Sequence, residues 1–163
     1  MSNSLRGMLA GLFATLVLSG ILVLKAQMGL WPEVNIIRLL VNLGSIQTVA
    51  AWMDHFIVGV VVWGLLFGAL DAMWESRAYW LKGLLFGVFA WLLMMILFMP
   101  LAKAGWFGVR IGPVAAIVTL GYHLVYGLVL GVAYGLLTAY YPAKQPEAPG
   151  PNPPASDADR NPW

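Results

Sequence analysis

The chain contains a copy of itself, and this constrains its folding more than any other feature. A shift of 76 positions lays Leu5, Gly7, Leu9, Gly11, Phe13, Ala14, Leu16, Ala26 and Gly29 on identical residues at Leu81, Gly83, Leu85, Gly87, Phe89, Ala90, Leu92, Ala102 and Gly105, with Arg6 on Lys82. A second shift, of 68 positions, lays His55, Gly59 and Val61 on His123, Gly127 and Val129. Each half therefore reads as a helix, a connection and a second helix that carries the half's histidine, with a longer connection in the first half. A two-helix unit returns the chain to the side from which it started. The second half then enters a membrane with the same polarity as the first, and the pseudo-twofold axis lies along the membrane normal.

The medium follows from composition. Of the 163 residues 61% are hydrophobic and 10% charged, and the mean hydropathy is +0.81, which leaves too little polar surface to cover a soluble domain. Apolar stretches at Gly7 to Leu24, Ala50 to Leu70, Trp80 to Ala102 and Pro113 to Ala139 are each near or above the ~20 residues that cross a hydrocarbon core as a helix. Strict alternation is absent, so the expected fold is all-α with four transmembrane helices rather than a β-barrel. Arg6 before the first apolar run gives it the look of a signal peptide, but the run is too long for a signal core and the repeat requires it. Residues 1–141 are read as the membrane domain, with halves 5–72 and 81–139. Residues 142–163, rich in proline and polar residues, are read as a disordered tail.

The first connection has a pattern of its own. Pro32 and Glu33 suit a first helical turn, and Val34, Ile37, Leu40, Val41 and Leu43 alternate with polar residues until Gly44. This predicts a short amphipathic helix lying in the interface. Small-xxx-small pairs at Gly7/Gly11 and Gly83/Gly87, and the stripe Gly127, Gly131, Gly135, predict close helix packing. The second span breaks the rule with Gly59, Gly64 and Gly68. Its five-residue step implies either a local bulge that restores the face or a different partner for the last two glycines.

Several of these segments resemble a known family. Leu5 to Gly11, Met28-Gly29-Leu30-Trp31-Pro32, Trp52 with His55 and Gly59, Ala90-Trp91-Leu92-Leu93-Met94-Met95 up to Pro100, and His123-Leu124-Val125-Tyr126-Gly127 together are similar to an uncharacterised bacterial family of four-helix inner-membrane proteins, classed as a domain of unknown function. The resemblance covers Leu5 to Tyr140. It implies a bacterial inner membrane and four helices, and brings no activity with it.

Ionisable residues inside spans are costly and are the functional candidates. His55 and His123 fall at matching depth on parallel helices, the arrangement of two axial ligands of one b-type haem. Gly59 and Gly127, one turn inward, would leave room for a porphyrin edge, and Lys25, Arg38, Lys103 and Arg110 gather on the same side to meet propionates. The plainer reading weighs more: each histidine hydrogen-bonds across helices or joins an aromatic belt. Two histidines alone leave a metal ion under-coordinated, with Asp54 as a third ligand at most. Asp54 is read as the ion-pair partner of Lys25, tying the first helix to the second. Asp71, Glu75 and Arg77 read as solvated. No cysteine is present, no catalytic motif appears, and a net charge of +2 without a basic run gives no nucleic-acid footprint.

The leading expectation is thus a non-enzymatic membrane component surrounded by lipid, either a subunit of a larger complex or a homo-oligomer. A haem b electron carrier and a small transporter or channel are the alternatives. Arg6, Arg77, Lys82, Lys144 and Arg160 on one side against Lys25, Arg38, Lys103 and Arg110 on the other place both termini in the cytoplasm. Reporter fusions at Glu75 and at Glu147 are expected to report one and the same side of the membrane. Opposite sides would overturn the four-span reading.

Overall fold

A computed structural model describes residues 1–44, 46–73 and 76–141. The expected tail, 142–163, and Glu75 lie outside the described residues. The chain forms α1 (Asn3–Gln27), a short α2 (Ile36–Gly44), α3 (Thr48–Asp71), α4 (Tyr79–Leu101) and α5 (Val114–Tyr140). All but α2 are long and apolar enough to cross a membrane, and no strand occurs among the described residues. Ser2 caps α1, its hydroxyl accepting from the Leu5 amide at 3.3 Å. Gly29 (φ +67°) and Gly105 (φ +76°), matched in the repeat, turn the chain with left-handed backbone soon after α1 and α4 end.

Glycine fixes which helices meet. A Cβ on Gly7 would fall on the Gly64 carbonyl, one on Gly64 on the Gly7 carbonyl, and one on Gly68 on Asn3. On the other side, Gly83 lies against the backbone of Gly127 and Gly131, and Gly87 against that of His123. Each hairpin, α1 with α3 and α4 with α5, is thus closed by backbone on backbone. In lipid, where apolar surface gives no drive for helices to associate, such contact supplies the dispersion energy. α1 and α5 also pack along each other, which gives the lateral order α3, α1, α5, α4.

The five-residue step in α3 resolves as a bulge. Ile57–Trp63 is π-helical, and this widened turn takes up the extra residue between Gly59 and Gly64. Gly59, Gly64 and Gly68 therefore all face α1, against Thr15, Gly7 and Asn3 respectively. A second π-helical turn, Met94–Phe98, precedes Pro100 in α4, where the imide ring can neither donate to the preceding turn nor fit against it. It seats Met95 and Met99 in the interior.

Two expectations need correction. Pro32 and Glu33 lie in a turn ahead of α2 rather than in its first turn. Asn35 caps the helix instead, its Oδ1 accepting from the Arg38 amide at 2.9 Å. Asp71 is not simply solvated: Lys82 Nζ lies 2.5 Å from its Oδ1, and both side chains are largely buried. This ion pair joins the end of α3 to the start of α4. Arg6, also buried, donates to Asn3 Oδ1 at 3.0 Å and to the Tyr141 carbonyl, tying α1 to the end of α5.

Gly83→Ala is expected to destabilise the protein by about 1–3 kcal/mol, because a backbone cannot yield as a side chain can. Gly20→Ala, whose new methyl meets nothing within 4 Å, should be neutral or stabilising by up to about 1 kcal/mol. Unfolding of the two variants in detergent checks both signs, and equal effects would refute the packing role of Gly83.

Candidate functional site

Between α3 and α4 the bundle is held open. Trp63 and Phe67 of α3 reach Phe86 of α4 edge to face, with ring centroids 5.7 and 5.4 Å apart, and Tyr134 of α5 meets Phe67 edge to face as well, at 5.2 Å. These rings span a gap of the kind that backbone contact closes within the two hairpins. Beyond them a cavity of about 140 Å³ opens, lined by all five helices. At its far end α2 covers the opening with Ile36, Leu39, Leu40 and Leu43, and Leu39 packs on the cluster of Met95, Met99 and Ala104. The amphipathic helix therefore presents its apolar face to the bundle.

Both histidines line this cavity. His55 Nε2 is 3.2 Å from Ser19 Oγ of α1, and its ring stands edge-on to Trp52 and Phe56, with centroids 5.7 and 5.8 Å away. His123 Nδ1 donates to the Thr119 carbonyl at 2.8 Å, which leaves Nε2 as the acceptor in the neutral ring. Tyr126 crosses from α5 to α3 and donates to the Gly59 carbonyl at 2.5 Å, inside the π-helical turn. The widened turn loosens the backbone ladder there, and the phenol supplies a bond to it. Thr15 and Thr119 donate back to the Gly11 and Ala115 carbonyls, at 2.7 and 2.6 Å. The Tyr122 hydroxyl is buried without a hydrogen-bond partner among the described residues.

The two histidines line one cavity, but their surroundings do not fit a haem. The cavity is well below the ~300–1,000 Å³ of ordinary small-molecule sites. The room expected at the two glycines is filled, since Gly59 faces the Thr15 side chain and Gly127 faces the Gly83 and Gly87 backbone. Of the four cations expected to meet propionates, Lys25 and Arg38 line one cleft. Arg110 instead donates to the Lys103 carbonyl at 3.1 Å in the second connection.

The expected Lys25 and Asp54 pair does not form. Lys25, at the last turn of α1, is drawn to the returning chain and donates to the Val34 carbonyl, whereas Asp54 lies exposed on α3. Among the described residues no group of three or more histidine or acidic side chains is placed to hold a metal ion. The bulge was legible in the sequence only as an odd glycine spacing, and nothing there linked Tyr126 to it.

A model of a family of unknown function (DUF6789) matches residues 1–144, and the protein belongs to this family. No curated protein and no solved structure matches the chain.

Protein purified after haem-replete expression is expected to show no Soret band. A low-spin spectrum abolished by both His55→Ala and His123→Ala would overturn this and restore the axial-ligand reading.

Proposed function

We propose that this member of DUF6789 is a non-catalytic component of a bacterial inner-membrane assembly, and that it meets neighbouring helices through the outer face of α3. Two tandem hairpins related by an axis along the membrane normal form its frame, and α2 lies at the interface. Polar side chains in the spans serve cohesion in this reading: Thr15, Thr119, His123 and Tyr126 bond to backbone, and Ser19 lies against His55.

Asp54, the seventh residue of the span Thr48–Asp71, is exposed and has no ion pair within 4 Å among the described residues. Its neighbours on that surface, Met53, Ile57 and Val61, are also exposed. A carboxylate in a membrane-spanning helix ordinarily faces the interior or a partner, because leaving it against hydrocarbon costs about 2.5–3.5 kcal/mol at mid-membrane and less toward the edge. An outward carboxylate on an apolar face fits a cation or hydrogen-bond donor supplied by another helix. Together they give the contact both an anchor and an apolar surround.

Native membranes solubilised in a mild detergent should yield the chain in a species well above its own mass of 17.8 kDa. Asp54→Asn should shift most of it to the monomer, with the fold intact by circular dichroism. Monomeric wild-type protein, or an assembly indifferent to Asp54→Asn, would overturn the proposal. Because the chain has no cysteine, a single Val61→Cys reports whether the neighbour is a second copy: a disulfide-linked dimer forms if two α3 faces meet.

A further inference from the structure

At the end of the bundle where α1 stops and α3 begins, a cleft of about 610 Å³ lies between α1, α2 and α3. Lys25, Gln27, Asn35, Arg38 and Trp52 give its wall a polar character, and Leu22 and Val41 an apolar one. Lys25 is only 9% exposed. Its ammonium donates to the neutral Val34 carbonyl, and no carboxylate among the described residues comes within 4 Å. Glu33, in the turn ahead of α2, makes no ion pair with it. Arg38 is exposed and likewise has no ion pair among the described residues.

We propose that this cleft binds the phosphate of an anionic lipid headgroup, with Lys25 and Arg38 as its cations. A buried ammonium whose protein partner is a neutral oxygen is under-compensated, and an anion entering the cleft completes it. The volume lies within the ~300–1,000 Å³ range of small-molecule sites. Arg38 brings a guanidinium fork suited to two phosphate oxygens, and Lys25 a point charge.

Lipid rather than free phosphate is favoured by what adjoins the cleft. Ile36 lines both this cleft and the central apolar cavity, so an acyl chain has apolar wall to follow beneath α2. Trp52, also in the cleft wall, is a residue type that concentrates at headgroup depth. The site is separate from the outward Asp54, and its test does not depend on assembly.

The full chain, delipidated in a neutral detergent, is titrated with phosphatidylglycerol and with phosphatidylcholine while native mass spectrometry counts bound lipid. Phosphatidylglycerol should be retained preferentially. Arg38→Gln, an exposed change that leaves the core untouched, should weaken its binding by about tenfold and leave phosphatidylcholine unaffected. Lys25→Met should do at least as much where circular dichroism shows the fold retained. Equal retention of the two lipids, or phosphatidylglycerol binding indifferent to Arg38→Gln, overturns the proposal. Displacement of phosphatidylglycerol by millimolar inorganic phosphate would assign the cleft to a soluble anion and overturn its lipid identity.

Discussion

Close approach of helix backbones at glycine is the contact on which the rest of this structure depends. Gly7, Gly64 and Gly68 in one hairpin, and Gly83, Gly127 and Gly131 in the other, sit where a single methyl would meet a carbonyl or Cα of the facing helix. In water a hydrophobic core would hold four such helices together with little regard for the detail of their faces. In lipid the packing itself must do so, and small residues in register make it possible. The repeat in the sequence is, in physical terms, a repeat of this contact.

What the glycines close, the aromatic rings open. Trp63, Phe67 and Phe86 hold α3 and α4 apart, and the space beyond them becomes the cavity shared by His55 and His123. α2 then covers the end of that space and, on its other side, bounds the cleft that contains Lys25 and Arg38. The short helix of the first connection is therefore the element that separates an apolar interior from a cationic rim. This gives a structural reason for the longer connection in the first half.

Much of the frame was legible in the sequence because it is written in residues whose physics is local. Apolar length specified the spans, and glycine spacing marked faces for close packing and flagged the irregular turn of α3. Both histidines, matched in the sequence repeat, line one cavity. Partnerships were less legible, because they depend on where a flexible side chain finds its nearest acceptor. Lys25 reached a backbone carbonyl that the returning loop carries past it, not the carboxylate suggested by span ends. Asp71 looked solvated in a polar connection, yet it is drawn to Lys82 at 2.5 Å. Glycines that seemed to make room for a cofactor were making room for neighbouring helices and the Thr15 side chain. A gap in side-chain volume reads the same in sequence whichever of these fills it.

α3 keeps its glycine face toward α1 by widening one turn, and Tyr126 bonds to the turn so widened, linking the two hairpins. Deleting Val62, an exposed residue of that turn, should let α3 run as a regular helix with glycines four residues apart. The decisive measurement is the unfolding free energy of Tyr126→Phe in the parent chain and in the Val62 deletion. If the phenol serves the bulge, the substitution costs about 1–3 kcal/mol in the parent and close to nothing in the deletion, a strong coupling between the two changes. An equal cost in both backgrounds would show that Tyr126 stabilises the protein independently of the widened turn, and would contradict the account.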